Sequence, residues 1–127
     1  MAKKILIVDD DPDLVEAVST ILESKGYAVA AAYGGIEGLK KAKTEKPDLV
    51  VLDVMMPDKD GYTVCKELKA DKKYRSIPIL LLTAVVSNIP TSRYTHQMGK
   101  DTEADDYMDK PVEPDELAKR IEALISK

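Results

Sequence analysis

The sequence predicts a doubly wound α/β domain, a parallel sheet with helices on both faces. Three observations carry the prediction. Short apolar runs alternate with amphipathic stretches at intervals of roughly 25 residues, the rhythm of strand–helix crossovers. The runs "ILIV", "LVVL" and "ILLL" lack polar alternation, as strands buried on both faces do. Polar residues then stand where those strands end, and in such sheets the strand ends are where ligands bind.

The elements follow in order. Lys3–Val8 reads as the first strand. Asp11 is placed to cap the next helix, and Pro12 suits its first position. Leu14, Val15, Val18, Ile21 and Leu22 recur at helical spacing, and Gly26 is the stop. Tyr27–Ala32 is a second strand, weakened by its alanines. Gly34 and Gly35 open a second helix carrying Ile36, Leu39 and Ala42. Pro47 precedes a third strand, "DLVVLD", which ends on Asp53.

A turn-rich loop, "MMPDKDG", leads to a helix over Tyr62–Asp71 with Val64, Cys65 and Leu68 on one face. Ile77–Leu82 is the fourth strand, with Thr83 at its end. Residues 84–103 have no clean period. Thr91, Ser92, Tyr94, Thr95 and His96 rank low in helix propensity, so a short or mobile fourth helix is expected there. Asp105–Lys110 is a fifth, less apolar strand. In the final helix Leu117, Ile121, Leu124 and Ile125 form one stripe.

The 127 residues suit a single domain over 1–127, and 44% apolar with 33% charged residues suits a globular one. A net charge of −4 without a basic block argues against direct nucleic-acid binding. No apolar run approaches the roughly 20 residues that span a bilayer. The start "MAKK" lacks the apolar stretch of a secretory signal, and Cys65 is the only cysteine, so the expected setting is cytoplasmic.

The chemistry concentrates at the strand ends: Asp9 and Asp10, Asp53, Thr83 and Lys110. Two carboxylates held ~4 Å apart near a surface repel by about 4 kcal/mol. Three carboxylates and one lysine leave a surplus negative charge that a hard divalent cation such as Mg²⁺ would neutralise. Cation, lysine and hydroxyl together suit a phosphoryl group, because its transfer is mostly positioning and charge neutralisation. Either a phosphorylated ligand binds, or one carboxylate is itself the nucleophile. Neither "GxxxxGK[ST]" nor "GxGxxG" is present, which favours the nucleophile.

"ILIVDDD", "VVLDVMMPDKDG", "ILLLTA" and "ADDYMDKP" together resemble the receiver domain of two-component response regulators, over nearly the whole chain. The resemblance implies a flavodoxin-like sheet of five parallel strands in the order 2-1-3-4-5 with five helices. It implies that Asp53 is the phosphoacceptor. Asp9, Asp10, Asp53 and the Met55 backbone carbonyl would hold Mg²⁺. Thr83 would hydrogen-bond the phosphoryl group, Lys110 would pair with it, and Tyr107 would be the switch aromatic. Lys110–Pro111 matches a peptide that is usually cis in the family, and Gly61 matches its turn glycine. A histidine kinase or histidine phosphotransfer protein would be the donor. A downstream protein would bind the face of the fourth and fifth strands and helices. The domain would catalyse only its own phosphorylation and dephosphorylation.

Other residues read more plainly. Asp11 is a helix cap and Cys65 a small core residue. Asp58 and Asp60 read as loop and turn formers, Asp105 and Asp106 as surface solvation, and His96 as an exposed imidazole. Lys110 follows Thr83 by 27 positions, a longer interval than is usual in the family, and Glu103 stands where members commonly have glycine. The extra residues fall over Lys100–Glu103 or near Asn88–Ser92. Met55 and Val85 flank the site with apolar side chains that cannot orient an attacking water, so a long-lived phosphoryl group is expected. Val112 replaces a common phenylalanine. The alternatives are a receiver fragment of a larger regulator with a DNA-binding or enzymatic output, and an aspartate-nucleophile phosphatase. The latter typically needs a second acid two residues past the first, and that place is Met55.

Overall fold

A computed structural model describes residues 2–84 and 104–126. The chain runs β1 (Lys4–Val8), α1 (Pro12–Ser24), β2 (Ala28–Ala32), α2 (Gly35–Glu45), β3 (Leu49–Asp53), α3 (Gly61–Ala70), β4 (Ile79–Ala84), β5 (Asp106–Lys110) and α4 (Pro114–Ile125). All neighbouring strands pair in parallel, in the order β2-β1-β3-β4-β5. This is the order the resemblance implied. The predicted fourth helical segment, its extra residues, His96 and Val85 lie outside the described residues.

The unbroken apolar strands are explained by what covers them. Leu6, Val8, Val50, Leu52, Ile79 and Leu81 face α2 and α3. Ile5, Ile7, Leu49, Val51, Leu80 and Leu82 face α1 and α4. Val15, Val18 and Leu22 of α1 meet Leu117, Ala118 and Ile121 of α4 on that second face. Full burial of a Leu or Ile contributes roughly 2–3 kcal/mol, so these stripes, more than helix propensity, hold α1 and α4 to the sheet. Cys65 is buried in the first cluster, as its place on α3 suggested.

Local chemistry sets most boundaries. Asp11 caps α1, its carboxylate accepting from the amides of Asp13 and Leu14, with Pro12 in the first turn. Asp60 caps α3 in the same way through Thr63. β4 differs from the expectation at both ends. Ile77 donates its amide to Tyr74 O in a turn, and Pro78 has no amide to give, so the strand starts at Ile79. It then runs on to Ala84, because Thr83 and Ala84 pair with Asp109 and Lys110. Thr83 is thus inside the strand.

Candidate functional site

At the carboxyl edge of β1 and β3, Asp9 and Asp53 are buried at 0% and 1% exposure while Asp10 is exposed. One carboxylate oxygen from each of the three lies within 4.8 Å of the others. β1 and β3 are adjacent and in register, Val8 opposite Leu52, so Asp9, just past β1, and Asp53, the last residue of β3, reach the same place.

Each acid is oriented by what it touches. Asp9 Oδ1 accepts the Asp11 amide at 2.9 Å, which ties it to the start of α1. Asp9 Oδ2 is buried without an aligned hydrogen bond and lies 2.9 Å from Lys110 Nζ. Asp53 Oδ1 accepts the Met55 amide at 3.3 Å and lies 3.4 Å from the same Nζ. Gly61 packs so closely that a Cβ there would stand 2.4 Å from Asp53 O, which accounts for glycine at that turn. The Lys110–Pro111 peptide is cis.

Burial pushes the Asp53 carboxyl up to about 6. The Asp9 charge raises it too, while Lys110 and the Met55 amide pull it back. Burial lowers the Lys110 ammonium, but its close ion-pair contact with Asp9 and the charge of Asp53 outweigh that, so it titrates above its ordinary value. One lysine does not neutralise this pocket. A buried oxygen short of hydrogen bonds, inside a set of hard oxygen donors, fits a hard divalent cation.

Thr83 is 1% exposed, at the carboxyl end of β4. Leu81 pairs with Tyr107 and Thr83 with Asp109, so Tyr107, Thr83 and Asp109 share one face of the β4–β5 edge. Tyr107 is half-buried against the α2/α3-side core. Met55, two residues past Asp53, is 65% exposed. The predicted residues Asp9, Asp10, Asp53 and Lys110 therefore meet in one pocket, with Thr83 and Tyr107 on the neighbouring strands.

Three further roles were not read from the sequence. Asp109 Oδ1 accepts the Thr83 hydroxyl at 2.9 Å. The only signal for it was an acid directly before Lys110. Asp58, expected as a plain loop former, accepts the amides of Gly35 and Ile36 and so caps α2 from the loop after β3. Those two bonds, from Ile36 first and then Gly35, hold its carboxyl below the usual range. Asp105, expected as surface solvation, accepts from Lys69 Nζ and from the Ile79 amide, both at 2.8 Å.

Comparison with known proteins gives these groups a context. The family profile "response regulator receiver domain" matches residues 5–122. The chain is 46% identical over 125 residues to the alkaline phosphatase synthesis transcriptional regulatory protein PhoP of Bacillus subtilis, covering 98% of this chain and 49% of that protein. It is 42% identical over 122 residues to the DNA-binding dual master transcriptional regulator RpaA of Synechocystis, covering 96% and 48%. The chain thus spans about half the length of these curated relatives. Among solved structures, the chemotaxis response regulator CheY4 of Vibrio cholerae superposes with a TM-score of 0.86 at 32% identity, covering 98% of this chain and 99% of that one. The BeF3-activated N-terminal receiver domain of RstA from Klebsiella pneumoniae superposes with a TM-score of 0.82 at 31% identity, covering 98% and 100%. No helix among the described residues is long and apolar enough to cross a membrane. Its matched residues, its strand order and its acidic pocket make the chain a member of the response regulator receiver domains, the phosphoacceptor modules of two-component signalling.

Proposed function

We propose that Asp53 is the phosphoacceptor, supplied by a histidine kinase or a histidine phosphotransfer protein, and that the chain acts as a single receiver unit over residues 1–127. The observation that carries this is a buried carboxylate at a strand end, in one cluster with two further acids and beside a lysine. At pH 7 the Asp53 carboxyl, titrating near 6, is mostly ionised and can attack. Its oxygen forms the bond to phosphorus as the phosphorus–nitrogen bond to the donor imidazole breaks. Lys110, 3.4 Å from Asp53 Oδ1, is positioned to pair with the incoming phosphoryl oxygens. The Thr83 hydroxyl would donate to another of them. Mg²⁺ held by Asp9, Asp10, Asp53 and the Met55 carbonyl would offset the charge that gathers on those oxygens.

Phosphorylation then biases two conformations through Thr83 and Tyr107, whose shared face of the β4–β5 edge supports the coupling. The face that β4, β5 and the terminal helix contribute is the proposed partner surface. A second reading is that the chain is the receiver part of a longer transcriptional regulator. The twofold greater length of the curated relatives favours it.

The test is incubation with acetyl phosphate and Mg²⁺. One phosphoryl group should add to the wild-type mass and none to Asp53→Asn. Multiple turnover of a phosphate ester would point instead to an aspartate-nucleophile phosphatase.

A further inference from the structure

We propose that Asp109 is a positioning residue that engages the Thr83 hydroxyl and favours the unphosphorylated state. The inference rests on the reading of Asp53 as acceptor and Thr83 as a donor to the phosphoryl group.

The geometry is specific. Thr83 Oγ1 lies 2.9 Å from Asp109 Oδ1 and only 3.4 Å from the alternative acceptor, Met108 O. A hydroxyl has one proton to donate, and an ionised carboxylate only accepts. Thr83 therefore cannot donate to Asp109 and to a phosphoryl oxygen at once. The pair is set by the sheet itself, since Thr83 and Asp109 stand opposite each other in the β4–β5 ladder. Thr83 is β-branched and 1% exposed, so its side chain has few alternative positions without a change around it.

The energetics follow from what each end experiences. A hydrogen bond to a charged acceptor is stronger than a neutral one, and the Thr83 end of this bond is buried. Asp109 is exposed, so the acceptor end of this bond stands at the surface. Phosphorylation must exchange this charge-assisted bond for another of similar strength. Such an exchange is close to balanced, as a two-state element requires, and Asp109 weights it toward the unphosphorylated side.

The probe is BeF3⁻ with Mg²⁺, titrated by calorimetry and NMR into the wild-type chain, Asp109→Ala, Asp109→Asn, Thr83→Ala and the double variant. Asp109→Ala should bind roughly three- to tenfold more tightly than wild type. Asp109→Asn, whose amide oxygen still accepts the hydroxyl, should fall between. In the Thr83→Ala background, removal of Asp109 should add little, because no hydroxyl remains to be released. Unchanged or weaker binding by Asp109→Ala overturns the proposal. An equal gain without Thr83 also overturns it, because the effect is then charge alone. Absence of saturable binding by the wild-type chain overturns the acceptor reading and this proposal with it. Binding without any Asp109 effect overturns this proposal alone.

Discussion

Lys110 reaches back from the end of β5 to within 2.9 Å of Asp9, across the carboxyl edge of β3. Asp9 is fully buried and the Lys110 side chain is 25% exposed, so the lysine bridges the buried acids to solvent. Removing one partner of a buried ion pair leaves an uncompensated charge. Lys110→Ala should therefore lose about 1–3 kcal/mol of stability at pH 7 in EDTA, measured by urea denaturation. The loss should be smaller at pH 5, where Asp53 takes up a proton, and smaller again with added Mg²⁺.

Asp53 makes stability depend on pH with a definite sign. Its folded carboxyl titrates near 6 against an ordinary 3.8, so between these values the folded chain binds more protons than the unfolded one. Stability in EDTA should fall as pH rises through that window, and the cost is complete above it. Asp53→Asn should remove this slope and be more stable than wild type by about 1–2 kcal/mol at pH 7 without divalent cation. An Asp53→Asn chain less stable than wild type in EDTA would contradict the electrostatic account.

Met55 bears on how long a phosphoryl group lasts. The residue is 65% exposed, and a thioether cannot hold a water by strong hydrogen bonds. Met55→Asn should speed loss of phosphate from Asp53 severalfold, followed by phosphoprotein mass after the donor is removed. An unchanged rate would mean that water reaches the phosphorus by another side.

Gly35 and Asp58 bind the loop after β3 to the start of α2. A Cβ on Gly35 would stand 2.0 Å from Lys59 O, a backbone atom that cannot step aside cheaply. Gly35→Ala should destabilise the domain by roughly 2–4 kcal/mol in thermal melts. Asp58→Ala leaves the amides of Gly35 and Ile36 without their acceptor. Faster hydrogen exchange should then appear at those two amides, with α1 unaffected.

Lys69 is the internal cation that holds the turn before β4. It donates to Arg75 O, Ile77 O and Asp105 Oδ2, and its side chain is only 8% exposed. Lys69→Met keeps the apolar stem and strands three acceptors, so a loss of about 2 kcal/mol is expected in urea titration.

Much of the fold was legible because its signals are local or repetitive. Apolar runs buried on both faces mark the three central strands, β1, β3 and β4, and Asp11 with Pro12 marks the start of α1. Asp9, Asp10 and Asp53 were legible as a set because each sits at or just past the end of a predicted parallel strand. Asp58, Lys69 and Asp105 were misread or passed over, because their partners lie 6 to 36 positions away and no local pattern announces them.

The sequence by itself determined the layer architecture and which side chains end the strands, since both follow from periodicity and from the directionality of crossovers. The tertiary structure decided which side chains compete for the same partner. Lys110 lies between Asp9 and Asp53, and Thr83 is held by Asp109, only because the strand register brings those positions together. Register is a long-range property of packed faces, and the strength of each contact depends on burial that no stretch of sequence states.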